Sequence, residues 1–382
     1  VVPDGYPLPA EYDVVACQRC GFVYADADAT QADYDHFYSD WSKYDDSTTS
    51  TGGGTCPYDA ARLTQTARDI ARVLPSRAAT ILDVGCATGG LLTALHEQGF
   101  SLVAGLDPSP RCAAACRDRG FQAYAGFIGA TPAHMPRFDC LVFSHVLEHV
   151  YDISSFFNAA RRALTPGGFL YIETPDASRY QEYLYAPFQE FNTEHINHFS
   201  ARTLATAAVH HGFTPVVVEQ KLLGTGMDKL YPAVFGIFQD NGGRADRKPI
   251  DCDSELSTRI AAYIRRSAEQ MEAIDRHVAS KLPTATDVII WGAGQLAMKL
   301  AALPSVTRLK VRAFVDNNPV LRGKRIAGAP VVGPQEILGT KEPILIATLL
   351  HAGEIAANIR RLGLTNPIVE LPSPSHGEGA SA

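Results

Sequence analysis

The sequence has no apolar run long enough to span a bilayer and no signal-peptide pattern, so a cytoplasmic protein without membrane partners is expected. It has no basic block either. Its 34 Lys and Arg are outnumbered by 41 Asp and Glu, for a formal net charge of −7. Proteins that grip a phosphate backbone carry a basic footprint, so the expected partner is a small molecule and not nucleic acid. There is no disulfide framework. The eight cysteines are scattered, mostly within strand and helix patterns, which suits reduced thiols. What is plentiful is apolar residue, 46% of 382, enough for the cores of two or three domains.

One stretch organises the rest: Ile81-Leu-Asp-Val-Gly-Cys-Ala-Thr-Gly-Gly-Leu91. The run Thr80 to Val84 is apolar apart from Asp83 and reads as a buried parallel strand. Gly85, Gly89 and Gly90 then open a helical pattern at Leu91. Strand, glycine turn and helix form the first unit of a doubly wound nucleotide-binding fold. The glycines let a ligand approach the backbone, and the helix start offers free N–H groups. The turn is not a clean dinucleotide fingerprint, but more follows in order. Leu102-Val-Ala-Gly-Leu-Asp107 is a second strand ending in an acid. Phe138 to Ser144 is a later strand, followed by His145-Val-Leu-Glu-His149. Leu164 to Thr174 is a Pro-Gly-Gly turn feeding another strand.

This series, over about residues 55–215, resembles the class I S-adenosylmethionine-dependent methyltransferases. The resemblance implies an α/β, Rossmann-like core that binds S-adenosylmethionine. It implies Asp83 and Gly85 beside the amino-acid end of the cofactor, with Cys86, Ala87 and Gly89 completing the turn. Asp107, followed by Pro108, would take the ribose hydroxyls, and Ser144, His145 and Leu147 would flank the sulfonium. His145-x-x-Glu148-His149 has a metal-like look, but the cofactor motif already explains that segment, so no metal is expected there.

Before the core, Cys17-Gln-Arg-Cys20-Gly21 lies between two strand-like runs and forms half of a zinc-ribbon knuckle. Structural zinc wants four ligands. No second pair appears, and His36 and Cys56 stand at atypical spacing, so zinc at Cys17 and Cys20 stays an open expectation beside a plain hairpin. Tyr34, Phe37, Tyr38, Trp41 and Tyr44 crowd the next stretch; Tyr44 is the candidate for touching cofactor, against ordinary packing. Ser47 to Thr55 reads as a loop, either a cover for the site or a linker.

The second chemistry-bearing stretch is Phe191-Asn-Thr-Glu-His-Ile-Asn-His-Phe-Ser200, a polar loop before a helix that Ser200 caps. His195 is the candidate general base, because imidazole titrates near working pH. Glu194 is placed to orient it, and Asn192, Asn197 and His198 are candidate donors to a developing oxyanion; His198 also reads as a helix cap.

After a boundary loop, Glu255 to Lys281 is a long amphipathic helix. Asp287-Val-Ile-Ile-Trp-Gly292-Ala-Gly294 then repeats strand, turn and helix, with a second strand ending at Asp316. Three segments are expected: 1–54, a small cysteine-knuckle domain; 55–250, the core; and 251–382, the bridging helix with a smaller Rossmann-like domain. In this order the modules resemble the three-domain sugar C-methyltransferases. That resemblance implies a nucleotide-linked keto-sugar substrate and a Glu-His pair carried onto Glu194 and His195. Asn192 stands where the family has a tyrosine, and half of the zinc ligands are missing. O-methylation of a hydroxyl uses the same base. An NAD-dependent sugar oxidoreductase and a non-catalytic scaffold are the readings from other classes.

Overall fold

The structure, a computed structural model, describes residues 1–41, 52–132, 134–225, 229–242, 252–318 and 320–372. Two compact units emerge: Glu11–Tyr183 with Glu194–Ile260, and Val1–Ala10 with Leu184–Thr193 and Ala261–Ala382.

The larger unit opens with the hairpin β1 (Asp13–Ala16) and β2 (Val23–Asp26), joined by the cysteine knuckle. The hairpin is not a separate domain here. β2 continues its pairing with β8 (Asn197–His198), through Val23 opposite His198 and Tyr24 opposite Asn197. Helix α1 (Gln31–Asp40) buries Tyr34 and Phe37, and α2 (Pro57–Val73) leads into the main sheet.

That sheet has seven strands. Its parallel part is β3 (Ile81–Val84), β4 (Val103–Asp107), β5 (Gln122–Ala125), β6 (Phe138–Ser144) and β7 (Leu164–Pro175). Two antiparallel strands, β9 (Phe213–Gly224) and β10 (Leu230–Asp240), complete the order β5-β4-β3-β6-β7-β10-β9. Side chains alternate across the sheet, so neighbours in sequence enter different cores. Leu82, Leu141 and Ile172 pack with Phe156 and Phe157 of α5 (Ile153–Ala163) and Leu204 of α6 (Ala201–His210). Ile81, Val142 and Tyr171 pack on the other face with α2, with Leu91 and Leu95 of α3 (Gly90–Glu97), and with Cys116 of α4 (Pro110–Asp118). Both faces being covered is why these strands are nearly continuous apolar runs. Cys112 and Cys116 are buried, as their helical spacing suggests.

The sheet turns direction around β3, with β4 on one side and β6 on the other. In open α/β sheets the crevice beyond the carboxyl ends of such strands is where ligands bind. The strand ends there are Val84, Asp107 and Ser144.

The smaller unit includes most of α7 (Leu256–Lys281) and a six-stranded sheet. Its strands are β11 (Asp287–Trp291), β12 (Lys310–Val315), β13 (Arg325–Ile326), β14 (Ala329–Val332), β15 (Ile344–Ile346) and β16 (Ile368–Val369). The first turn repeats the larger unit's device. The Ala293 N–H donates to Asp316 Oδ2 at 2.7 Å, as the Ala87 N–H donates to Asp107 Oδ2 at 2.9 Å. Lys299 is enclosed here, donating to the Phe188 carbonyl at 3.1 Å, and burial pulls its ammonium down to about 8. No helix among the described residues is long and apolar enough to cross a membrane.

Candidate active site

The cofactor side begins at the turn after β3. Gly85 has φ +79°, and Ala87, at φ +45°, also takes the left-handed region. A Cβ on Gly85 would come within 2.9 Å of Val146 Cγ2, so only glycine passes there. Asp107, at the end of β4, holds the turn to its neighbour strand: Oδ2 accepts from Ala87 N at 2.9 Å and Oδ1 from Ser109 N at 2.9 Å. Asp83 is fully buried just below. Burial, then the nearby Asp107, push its carboxyl up to about 7. The glycine-rich segment before α2 lies on this turn. Gly52 O accepts from Gly90 N at 3.1 Å, and Asp59 Oδ2 ties down the N–H groups of Gly52 and Gly54 at 3.0 and 2.8 Å. Tyr44, the sequence candidate from this region, lies outside the described residues.

Beyond β6 the chain makes a tight bend. His145 takes φ +57°, a costly conformation for a residue with a side chain, and enters a single 3-10 turn at Leu147–His149. The His145 ring is held from both sides, by Glu148 Oε1 at 3.1 Å and Glu173 Oε1 at 3.2 Å. Burial works against its charge, but the two carboxylates outweigh that and hold the imidazole up at about 9. Behind it, Glu173 of β7 is fully buried. Burial opposes its ionisation; the Lys221 ammonium at 2.5 Å, and then His145, keep its carboxyl well below the usual range. Lys221 in turn reaches Asp69 at 2.9 Å and the Tyr171 hydroxyl at 3.0 Å. An unbroken line of charge thus runs from Lys221 through Glu173 and His145 to Glu148.

The acceptor side is the loop that carries His195. The His195 ring lies against His149, centroids 5.0 Å apart and edge-to-face. His149 Nδ1 is 2.9 Å from the Glu194 carbonyl, which can only accept, so Nδ1 carries a proton. Tyr38 of α1 stands edge-on to His149 at 5.9 Å, so the aromatic stretch does reach the site. Asn197 donates to the Leu147 and Val150 carbonyls at 3.0 and 2.7 Å and clamps the loop onto the 3-10 turn.

The structure therefore brings Asp83, Gly85, Ala87 and Asp107 to one strand edge, and His145 and His195 onto elements joined through His149 and Glu148. Three site candidates read differently in place. His198 is not at the site: it is fully buried in β8, 3.3 Å from the Tyr180 hydroxyl, and burial pulls its imidazole down to about 3. Asn192 belongs to the smaller unit, whereas Glu194 and His195 belong to the larger. Asn197 is spent on backbone carbonyls. Glu173 and Lys221 were missed, although an acid in an apolar strand is itself a signal that a buried counter-charge exists.

The zinc expectation at Cys17 and Cys20 meets a third free thiol, Cys252. Cys17 and Cys20 form the knuckle, with backbone N–H groups of Cys20 and Arg19 holding Cys17 down. Burial, then Cys17 and Cys252, push the Cys20 thiol up, and the Asp253 N–H donates to the Cys20 carbonyl at 3.0 Å, so Cys252 is a third thiol beside the knuckle; among the described residues the three sulfurs do not close to within 4.8 Å of one another.

Residues 58–218 match the family described as "Methyltransferase domain". The middle of the chain is a class I methyltransferase domain. Its cofactor is S-adenosylmethionine. Over 113 residues the chain is 34% identical to the ubiquinone biosynthesis O-methyltransferase of Methylobacterium nodulans, a match covering 28% of this chain and 45% of that one. Over 120 residues it is 31% identical to the tRNA U34 carboxymethyltransferase of Saccharophagus degradans, covering 28% and 35%. The chain thus spans under half the length of these curated relatives. Among solved structures, the 1,6-didemethyltoxoflavin-N1-methyltransferase of Burkholderia thailandensis, with bound S-adenosylhomocysteine, matches at 18% identity and a TM-score of 0.42, covering 61% of this chain and all of that one.

Proposed function

We propose that the whole chain is a methyltransferase that moves the methyl group of S-adenosylmethionine to a small polar acceptor, with His195 taking the acceptor's proton. One observation carries this: the glycine turn with Asp107, and the His149–His195 pair, are both anchored at the carboxyl edge of the same sheet. The cofactor supplies the electrophile. Asp107 is the group for the ribose hydroxyls, and Asp83 for the amino-acid end. His145 and Leu147 border the sulfonium, and the protein's remaining task is alignment and deprotonation.

For the acceptor, the order of modules and the Glu194-His195 pair favour carbon methylation of a nucleotide-linked keto-sugar, where a neighbouring ketone acidifies the carbon. The naming of relatives as O-methyltransferases favours a hydroxyl instead. Both call for one base near one sulfonium. A His195→Ala chain should bind S-adenosylhomocysteine within about threefold of wild type, while turnover on any accepted substrate falls by about 10²–10⁴. Equal turnover in the two chains removes His195 from the mechanism.

A pH dependence follows from Asp83. Its protonated form dominates below about 7, and only its ionised form attracts the cofactor's ammonium. S-adenosylhomocysteine should therefore bind about tenfold tighter at pH 8 than at pH 6, and Asp83→Asn should flatten that slope. A flat profile in the wild type would mean that Asp83 faces no cation.

A further inference from the structure

We infer that Glu148, His149 and His195 form a site for a first-row divalent cation of the zinc, cobalt or manganese class. The cofactor motif accounts for His145-Val-Leu-Glu148-His149, so the sequence alone suggests no metal there; the proposed ligands come from two segments, Glu148 and His149 from the 3-10 turn and His195 from the polar loop.

Three observations carry this. One ligand atom from each of the three side chains falls within 4.8 Å of the other two. Nitrogen and oxygen ligands about 2.1 Å from such an ion stand roughly 3–3.5 Å apart, so binding draws the three inward by about an ångström. Second, Glu148 is 1% exposed, its Oε1 is engaged by His145, and its Oε2 is buried with no hydrogen-bond partner among the described residues. A buried carboxylate oxygen without a partner is costly, and an ion is one of the few things that would answer it. Third, the tautomer is preset. The Glu194 carbonyl holds a proton on His149 Nδ1, so the neutral ring has its lone pair on Nε2, 4.0 Å from Glu148. Backbone carbonyls do this for ligating histidines in metal sites.

Two imidazoles and one carboxylate are borderline ligands that suit zinc, cobalt, manganese or iron better than calcium. Three protein donors leave coordination positions for water or an acceptor oxygen. The consequence for chemistry rests on the methyltransferase reading: a ketone or hydroxyl oxygen bound there is polarised by the ion. With the ion bound, His195 is its ligand and the polarised acceptor gives up its proton to solvent; the role of His195 as base belongs to the metal-free chain.

The test is a Co²⁺ titration of the full chain after chelator treatment, followed by visible absorption, with S-adenosylhomocysteine calorimetry on the same samples. Wild type should bind one Co²⁺ with a spectrum of nitrogen and oxygen ligands. Glu148→Gln, His149→Ala and His195→Ala should each weaken it by at least about tenfold. Cys17→Ser with Cys20→Ser should leave it unchanged. Retained S-adenosylhomocysteine binding shows that each variant is folded, and three variants guard against one failing. Absence of Co²⁺ binding in a wild type that binds S-adenosylhomocysteine overturns the site and spares the methyltransferase reading. Binding that survives all three substitutions, or depends on Cys17 and Cys20, overturns it as well. Loss of S-adenosylhomocysteine binding with Co²⁺ binding intact overturns the methyltransferase reading alone.

Discussion

Lys221→Met should destabilise the larger unit by about 3–5 kcal/mol, the largest loss of stability expected from one substitution in this chain. Lys221 is 6% exposed, and its ammonium is the main positive charge facing Glu173, which has no exposed surface at all. Remove the ammonium and that carboxylate stays in a low-dielectric interior with the Tyr171, Thr66 and Ser144 hydroxyls and His145 as partners. Paired against Glu173→Gln, the double substitution should recover much of the loss, because no unpaired charge is then left. Denaturant melts of the four chains measure the coupling. A loss under about 1 kcal/mol for Lys221→Met would show that Glu173 simply takes up a proton. The network would then not be ionised, and the charge assigned to His145 would fall with it.

Asp107→Ala should weaken S-adenosylhomocysteine by about 10²–10⁴. The carboxylate accepts from Ala87 and from Ser109, and so fixes the turn to β4. With cofactor bound it is the proposed acceptor for the ribose hydroxyls. Each hydrogen bond to a charged acceptor is worth about 1.5–3 kcal/mol, and losing two gives the stated range. Asp107→Asn, which keeps one acceptor oxygen, should lose less. Asp316→Ala supplies the control. Its carboxylate caps the equivalent turn of the smaller unit through Ala293 and Asn318, and its removal should leave S-adenosylhomocysteine affinity unchanged.

Much of the fold is legible because its strands announce themselves. Ile81–Val84, Val103–Asp107 and Phe138–Ser144 are buried on both faces, so they read as apolar runs, and each ends in the residue that turns toward the site. α6 begins where Ser200 caps it, with its hydroxyl accepting from Thr203 N. β10 is harder to read. Pro232 and Gly236 interrupt it, although it runs between β7 and β9. A Cβ on Gly236 would come within 2.3 Å of the ring of Phe238, two residues on in the same strand, where the pairing with β9 shifts register.

The site divides along the same line. Its cofactor half is local: turn glycines and a strand-terminal acid lie within one βαβ unit, and spacing alone exposes them. Its acceptor half is not. His149 and His195 meet across 46 positions, and Glu173 meets Lys221 across 48, counts that follow from their numbers. The burial of His198 is hidden from the sequence for the same reason. A histidine in a polar loop looks available until the pairing of Val23 with His198 seals it inside a sheet.

The central claim is that this chain binds S-adenosylmethionine at the edge formed by Gly85 and Asp107. Calorimetry of the wild-type chain against S-adenosylhomocysteine, with NAD as the comparison, tests it most directly. The account predicts one S-adenosylhomocysteine per chain, and no heat from NAD that S-adenosylhomocysteine displaces. Binding of NAD at that edge, with none of S-adenosylhomocysteine, would contradict it.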